Sequence, residues 1–154
     1  MPNTYTQLYV QVVFAVKYRK ALISSSWEED LRKYITGTVQ NHEHKMLAIN
    51  NMPVHLHLFI GLNPKQSISD LMRIVKGDSS EWINNNFSER KFYWQEGYGA
   101  FSYSRSHIEK VIKYILNQQE HHKKFTFLEE YKLLLDKFDI EYDERYIFNE
   151  LSDE

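Results

Sequence analysis

The stretch Met52-Pro53-Val54-His55-Leu56-His57-Leu58-Phe59-Ile60 decides how this chain is read. Side chains alternate across a β-strand, so Val54, Leu56, Leu58 and Ile60 share one continuous apolar face. His55 and His57 fall on the other face, about 7 Å apart at Cα. A strand is therefore expected over about 54–61, burying one side and presenting two imidazoles on the other. Two neutral imidazoles on a rigid strand begin a divalent metal site, which needs a third ligand. Structural histidines on a half-exposed strand fit the same tripeptide.

The flanking segments supply a domain around this strand. A first strand is expected over about 5–16, with Leu8, Val10, Val12, Phe14 and Val16 on one face and Gln7, Tyr9 and Gln11 on the other. Ser24, Ser25 and Ser26 offer N-caps for a helix over about 27–43, striped by Trp27, Leu31, Tyr34, Ile35 and Val39. A strand over about 45–51 and a turn at Asn50, Asn51 and Pro53 lead into the histidine strand. Ser67 opens a helix over about 67–86, and Gly97 and Gly99 punctuate two short strand candidates, 91–94 and 100–103. Ser106 with Glu109 reads as a capping box for a helix over about 106–122, and a last helix covers about 127–138. The order β-α-β-β-α-β-α-α predicts an α+β fold: a ferredoxin-like sandwich with a central antiparallel sheet and additional C-terminal helices.

With 154 residues, 42% of them hydrophobic and 26% charged, the chain has the size of one domain. Aromatic residues reach 15%, enough for stacking surfaces as well as core. No apolar run approaches the roughly 20 residues of a membrane span. The N-terminal MPNTYTQ lacks a signal-peptide pattern, so a cytoplasmic location is expected. The absence of cysteine excludes disulfides, zinc–thiolate sites and thiol catalysis. The net charge of −2 is an average of unlike parts. Residues 1–124 carry 16 Lys and Arg against 11 Asp and Glu, whereas residues 125–154 carry 3 against 10. A single domain over 1–138 and an acidic tail over 139–154 are expected.

On the 106–122 helix, Ile108, Val111, Ile112, Ile115 and Leu116 form the apolar stripe. Lys110, Tyr114, Gln118 and His121 line up on another face. Tyr can act as a covalent nucleophile and Gln offers a neutral oxygen to a hard cation such as Mg²⁺ or Mn²⁺. A surface or interface tyrosine fits the same spacing. His42, His44, His107, His121 and His122 read as surface or helix-end residues outside any metal site.

Three ordered segments carry a family resemblance. MPVHLHLFI (52–60), ISDLMRIVKGDSSEW (68–82) with FYWQEGYGAFSYS (92–104), and VIKYILNQQEHH (111–122) resemble the single-tyrosine HUH transposases of the insertion-sequence-200/605 type. The resemblance runs from about residue 5 to 125. It implies a DNA transposase that cleaves and rejoins single-stranded DNA at hairpin-flanked element ends through a 5′-phosphotyrosine. By the same resemblance Tyr114 is the nucleophile and His55, His57 and Gln118 hold a divalent metal, Mg²⁺ or Mn²⁺. The implied partners are single-stranded DNA hairpins and a second copy of the chain, a homodimer whose tyrosine helices can be exchanged. No nucleotide cofactor is needed, because the tyrosyl ester keeps the energy of the broken phosphodiester.

Two departures stand out: Val54 where the family often has an acidic residue, and Asp78 where a basic one is common. Arg73, Lys76, Arg105, Lys110 and Lys113 are the basic residues nearest the motifs and are the DNA-contact candidates. Lys17, Arg19 and Lys20 form a further cluster, and Tyr98, Phe101 and Tyr103 are candidates for stacking on bases. Two other functions remain compatible: a non-catalytic hairpin-binding regulator derived from such an enzyme, and a metal-dependent phosphoesterase that uses water.

Overall fold

The computed structural model describes residues 3–18, 20–87 and 90–148. Its centre is a four-stranded antiparallel sheet in the order β2-β3-β1-β4, from β1 (Tyr9–Ala15), β2 (Lys45–Met52), β3 (His55–Gly61) and β4 (Gly99–Tyr103). The ferredoxin-like α+β sandwich expected from the element order is the fold observed. β1 is shorter than expected because pairing stops where its neighbours stop: Tyr9 faces Gly61 on one side and Tyr103 on the other. β2 is longer, since Asn50 and Asn51 are buried ladder residues and the turn falls at 53–54. Of the two candidate strands near the glycines, only the second forms; Trp94 makes a single bridge to Val16.

Helices α1 (Glu28–Asn41) and α2 (Ile68–Asn86) cover one face of the sheet. Leu31, Ile35 and Val39 of α1 and Leu71, Val75 and Ile83 of α2 join Val10, Val12, Phe14, Leu56, Leu58 and Ile60 in the main apolar cluster. Ser67 caps α2 by accepting from the Asp70 amide. The serines before α1 do not cap with their side chains. Instead the Ser24 carbonyl accepts the Trp27 and Glu28 amides, and three acidic residues occupy the first turn, where the helix dipole favours them.

The opposite face is covered by α3 (Ile108–Leu116), α4 (Gln118–His121) and α5 (Phe127–Lys137). The expected continuous 106–122 helix is divided. Arg105–His107 form a 3₁₀ turn, so Ser106 lies within a turn, bonded to Ser104, and builds no capping box. The helix breaks again at Asn117. A break frees carbonyl groups, and Asn50 from β2 donates to that of Ile115 at 2.8 Å. The capping box belongs to α5, between Thr126 and Glu129.

α5 rests on β4 through Tyr131, Leu134 and Leu135. Its approach is permitted by Gly99, because a Cβ there would stand 2.7 Å from the Tyr131 ring. The described part of the acidic segment, 139–148, folds back onto this layer. Phe148 is buried against Tyr131 and Phe127, and Lys132 pairs with Glu144. With helices on both faces, His55 and His57 are fully buried rather than half-exposed as expected.

Gly99→Ala is expected to lower unfolding stability in urea by about 1–3 kcal/mol, since Tyr131 is packed too well to retreat freely. Gly77→Ala, at an exposed α2 position with nothing within 4 Å of the added carbon, should raise it by about 0.5–1 kcal/mol. Equal effects from both substitutions would disprove the close-approach argument.

Candidate active site

His55 and His57 project from β3 toward α3, α4 and α5, with ring centroids 5.1 Å apart. Four side chains from the covering helices meet them: Tyr114 of α3, Gln118 of α4, His122 just after α4, and Glu130 of α5. The Glu130 carboxylate lies at the centre and its two oxygens have different surroundings. Oε1 lies 3.2 Å from His57 Nε2, 3.1 Å from His122 Nε2 and 3.5 Å from His55 Nε2. Oε2 accepts hydrogen bonds from the Tyr114 hydroxyl and, at 3.0 Å, from the Gln118 amide. The remaining polar atom of Gln118, Oε1, is 3.1 Å from both His55 Nε2 and His122 Nε2.

The ring of His57 is oriented from behind. Gln11 on β1 places Nε2 3.0 Å from His57 Nδ1, and its own carbonyl accepts from the Tyr103 hydroxyl at 2.8 Å. An amide donating to Nδ1 leaves the ring proton on Nε2, aimed at Glu130. Turning the amide over would exchange donor and acceptor and move the proton to Nδ1, the tautomer that offers Nε2 as a ligand. His55 has no such partner: its Nδ1 is buried without a hydrogen bond, and its ring stacks on Phe127 at 4.2 Å.

Burial shapes the protonation states. It pushes the His55 pKa down to about 3, with His57 adding to the effect, so His55 is neutral at pH 7. It raises the Tyr114 phenol above its ordinary value, and the adjacent Glu130 charge raises it further. Burial opposes ionisation of Glu130 as well, but hydrogen bonds from His122 and His57 outweigh it and hold this carboxyl below the usual range.

Tyr114 also borders the solvent. An open cleft of about 460 Å³ is lined by Tyr114, Lys113, Asn117, His121, Lys124 and Phe125, among others. Phe125 is partly exposed and stacks on His121 at 5.1 Å.

The residues singled out in the sequence divide. His55, His57, Tyr114 and Gln118 meet in one buried cluster within a single chain. Arg105, Lys110 and Lys113 are exposed on the 3₁₀ turn and α3. Arg73 and Lys76 sit on α2, across the sheet from the cluster. Arg73 pairs with Asp70, and Lys76 is half-buried and donates to the carbonyls of Gln95 and Gly97 at 2.7 Å each, so it fastens a loop. Arg19 lies outside the described residues. Phe101 is core, whereas Tyr103 is half-buried, packs its ring on Phe59 and Phe138 and donates its hydroxyl to Gln11. His44, expected at the surface, is buried; it bonds Gln66 and accepts from the Asn63 amide.

Two members of the cluster were not anticipated. His122 lies one helical turn beyond Gln118, and that i, i+4 spacing is the signal that points to it. Glu130 lies in the buried stripe of α5, one turn before Leu134, and a carboxylate in an otherwise apolar stripe is its signal. Val54 supplies no carboxylate here; Glu130 does.

The chain has relatives among known proteins. A family model described as "Transposase IS200 like" matches residues 4–118. The ISDra2 transposase TnpA of Deinococcus radiodurans is 22% identical over 120 residues, covering 74% of this chain and 86% of the relative. The transposase for insertion sequence element IS200 of Salmonella typhimurium is 25% identical over 118 residues, covering 73% of this chain and 77% of the relative. The structure of a REP-associated tyrosine transposase bound to a REP hairpin resembles this fold with a TM-score of 0.60 at 15% identity, covering 78% of this chain and 72% of that one. No helix among the described residues is long and apolar enough to cross a membrane.

The depressed His55 pKa fixes the sign of a pH effect. Between pH 6.5 and about 3 the unfolded chain binds a proton at this position that the folded chain refuses. Stability in metal-free buffer should therefore fall with falling pH across that window, by at most about 1.4 kcal/mol per pH unit from this group. Glu130 acts in the same sense at the acid end. Urea titrations should show a shallower slope for His55→Asn, and an unchanged slope would count against the burial of this ring.

Proposed function

This chain belongs to the IS200-like transposase family, and from that premise we propose that it cleaves and rejoins single-stranded DNA, with Tyr114 as nucleophile and a divalent cation as cofactor. The observation that carries the reading is the convergence of Tyr114, His55, His57 and Gln118 in one buried cluster whose nucleophile also borders an open, lysine-flanked cleft.

The donor set fits a cation. His55 and His57 present imidazole nitrogens that hold divalent transition cations, Gln118 presents a neutral oxygen that suits Mn²⁺ and Mg²⁺, and His55 Nε2 and Gln118 Oε1 lie 3.1 Å apart, as two adjacent ligands of one ion would. When bound, the cation would polarise the phosphoryl group and neutralise developing charge. The protein's own residues do the rest. β3 holds His55 and His57 rigidly, and Gln11, with its amide turned over, would hold His57 in the tautomer that offers Nε2 to the cation. α3 carries the Tyr114 phenol to the border between cluster and cleft. Attack of its oxygen on a DNA phosphate gives a 5′-phosphotyrosine and a free 3′-OH, and attack of a 3′-OH on that ester reverses it.

The cleft is the approach for the strand. Lys113 and Lys124 flank Tyr114 and suit phosphate, while Phe125 offers a ring to an unpaired base. Arg105 and Lys110 extend the basic surface along the 3₁₀ turn and α3. Lys76 is bound to its loop and Arg73 lies across the sheet, so neither belongs to this path. A hairpin as the recognised DNA is supported by the hairpin bound to the REP-associated relative. A homodimer is part of the reading, although the nucleophile reaches its histidines within one chain.

Incubation with single-stranded hairpin DNA and Mn²⁺ should give a denaturant-resistant protein–DNA adduct that disappears in Tyr114→Phe and on chelation. An adduct surviving in Tyr114→Phe would overturn the nucleophile assignment. Metal-dependent cleavage without any adduct would instead support hydrolysis by water. Phe125→Ala should weaken binding of single-stranded DNA by about 1–3 kcal/mol. Removing Lys113 or Lys124 should each reduce the salt dependence of that binding by about 0.7 in log–log slope.

A further inference from the structure

Resting on the metal-dependent reading above, we propose that Glu130 and His122 complete the cation's ligand set, Glu130 holding the cation through Oε1 and the nucleophile Tyr114 through Oε2. Neither residue lies in the segment 4–118 that matches the family model.

Spacing is the first argument. Ligand bonds of about 2.1 Å put adjacent donor atoms about 3.0 Å apart in an octahedron and about 3.4 Å apart in a tetrahedron. The contacts of Glu130 Oε1 with His57, His122 and His55 Nε2 are 3.2, 3.1 and 3.5 Å. Those of Gln118 Oε1 with His55 and His122 Nε2 are both 3.1 Å. The ligating atoms of His55, His122 and Glu130 lie within 4.8 Å of one another. Donor atoms at coordination-sphere separations, brought from a strand, a helix end and a second helix, outline one site.

Charge is the second. Glu130 is 2% exposed, and a carboxylate taken out of water needs compensation. Its ion-pair partners among the described residues are four histidines, His55, His57, His121 and His122. A divalent cation among these rings would add positive charge beside the carboxylate. His55, His57 and Gln118 by themselves bring no negative charge to a hard cation, and Glu130 does.

The division of the carboxylate is the third. Oε1 faces the imidazoles of His55, His57 and His122, whereas Oε2 accepts from the Tyr114 hydroxyl and the Gln118 amide and lies 3.4 Å from His121 Nε2. One side chain therefore spans the cation position and the nucleophile. It sets the distance between them, and α5 becomes part of the active site.

Mn²⁺ binding to the full chain, followed by calorimetry and by loss of the free-ion electron paramagnetic resonance signal, tests this without DNA or turnover. Wild type should bind one Mn²⁺. Glu130→Gln and His122→Ala should each bind at least about tenfold more weakly, and His107→Ala, on the exposed 3₁₀ turn, should match wild type. Melting curves establish that each variant is folded. Pulsed resonance on Mn²⁺-loaded wild type, which depends on no variant, should count three coordinated imidazoles. Unchanged or tighter binding by folded Glu130→Gln, or only two imidazoles in wild type, would overturn the ligand set and leave the metal-dependent reading standing. Failure of wild type to bind Mn²⁺ would overturn that reading, and this inference with it.

Discussion

The structure turns on one constraint: a carboxylate and two strand imidazoles share a space closed to water. Buried polar groups are costly unless each finds a partner, and the layer over this face of the sheet is arranged to provide them. Gln11 reaches across from β1, Gln118 and His122 descend from the segment after the helix break, and Glu130 enters from α5. A half-satisfied network would be worse than an apolar core. The cover is therefore as much a condition of the fold as of the site.

The break at Asn117 follows from the same constraint. Tyr114, Gln118 and His122 are spaced at four residues, which in an ideal helix drifts about 40° per step. A straight helix long enough to carry all three would rotate the last away from the histidines that the first faces. The observed division redirects the chain so that Gln118 is fully buried and His122 reaches the cluster. Asn50 makes the break tolerable by satisfying the Ile115 carbonyl from the β2 ladder. That bond also fixes the end of α3, which carries Tyr114, to the sheet that carries the histidines.

The parts of this protein that local pattern governs were legible in its sequence. Period-two alternation places Val10, Val12, Phe14 and Leu56, Leu58, Ile60 on one face, and helical stripes place Leu31, Ile35 and Val39 against them. The element order then leads to the antiparallel sandwich. What escaped depends on contacts between distant segments. Both faces of β1 and β3 are buried, because α3 to α5 return over the polar side, and alternation alone describes a half-exposed sheet. Asn50 and Asn51 have turn-forming side chains, yet tertiary hydrogen bonds keep them in a strand. Ser106 and Glu109 have the spacing of a capping box, but the chain enters α3 through a 3₁₀ turn and the box forms at Thr126 and Glu129. The His55–His57 pair, Tyr114 and Gln118 were legible as a constellation through the family resemblance. The position of Glu130 among them was not, because its meaning comes from where α5 docks.

The charge count illustrates why. Segment 125–154 is acidic enough to hide a basic body, and arithmetic of that kind treats its carboxylates as interchangeable. They are not equivalent. Glu129 faces solvent and closes a capping box, while the next residue, Glu130, is buried among imidazoles. Neighbours on a helix point about 100° apart, so one residue of register separates a surface charge from the buried anion at the centre of the histidine cluster. Register is set by Tyr131, whose ring lies where a side chain on Gly99 would otherwise stand. A glycine in β4 thus determines how closely α5 approaches the sheet, and through it how far Glu130 reaches. Packing divides the described part of the acidic segment into a helix that carries Glu130 into the histidine cluster and a returning strap, and the cluster extends past the last residue that the family model matches.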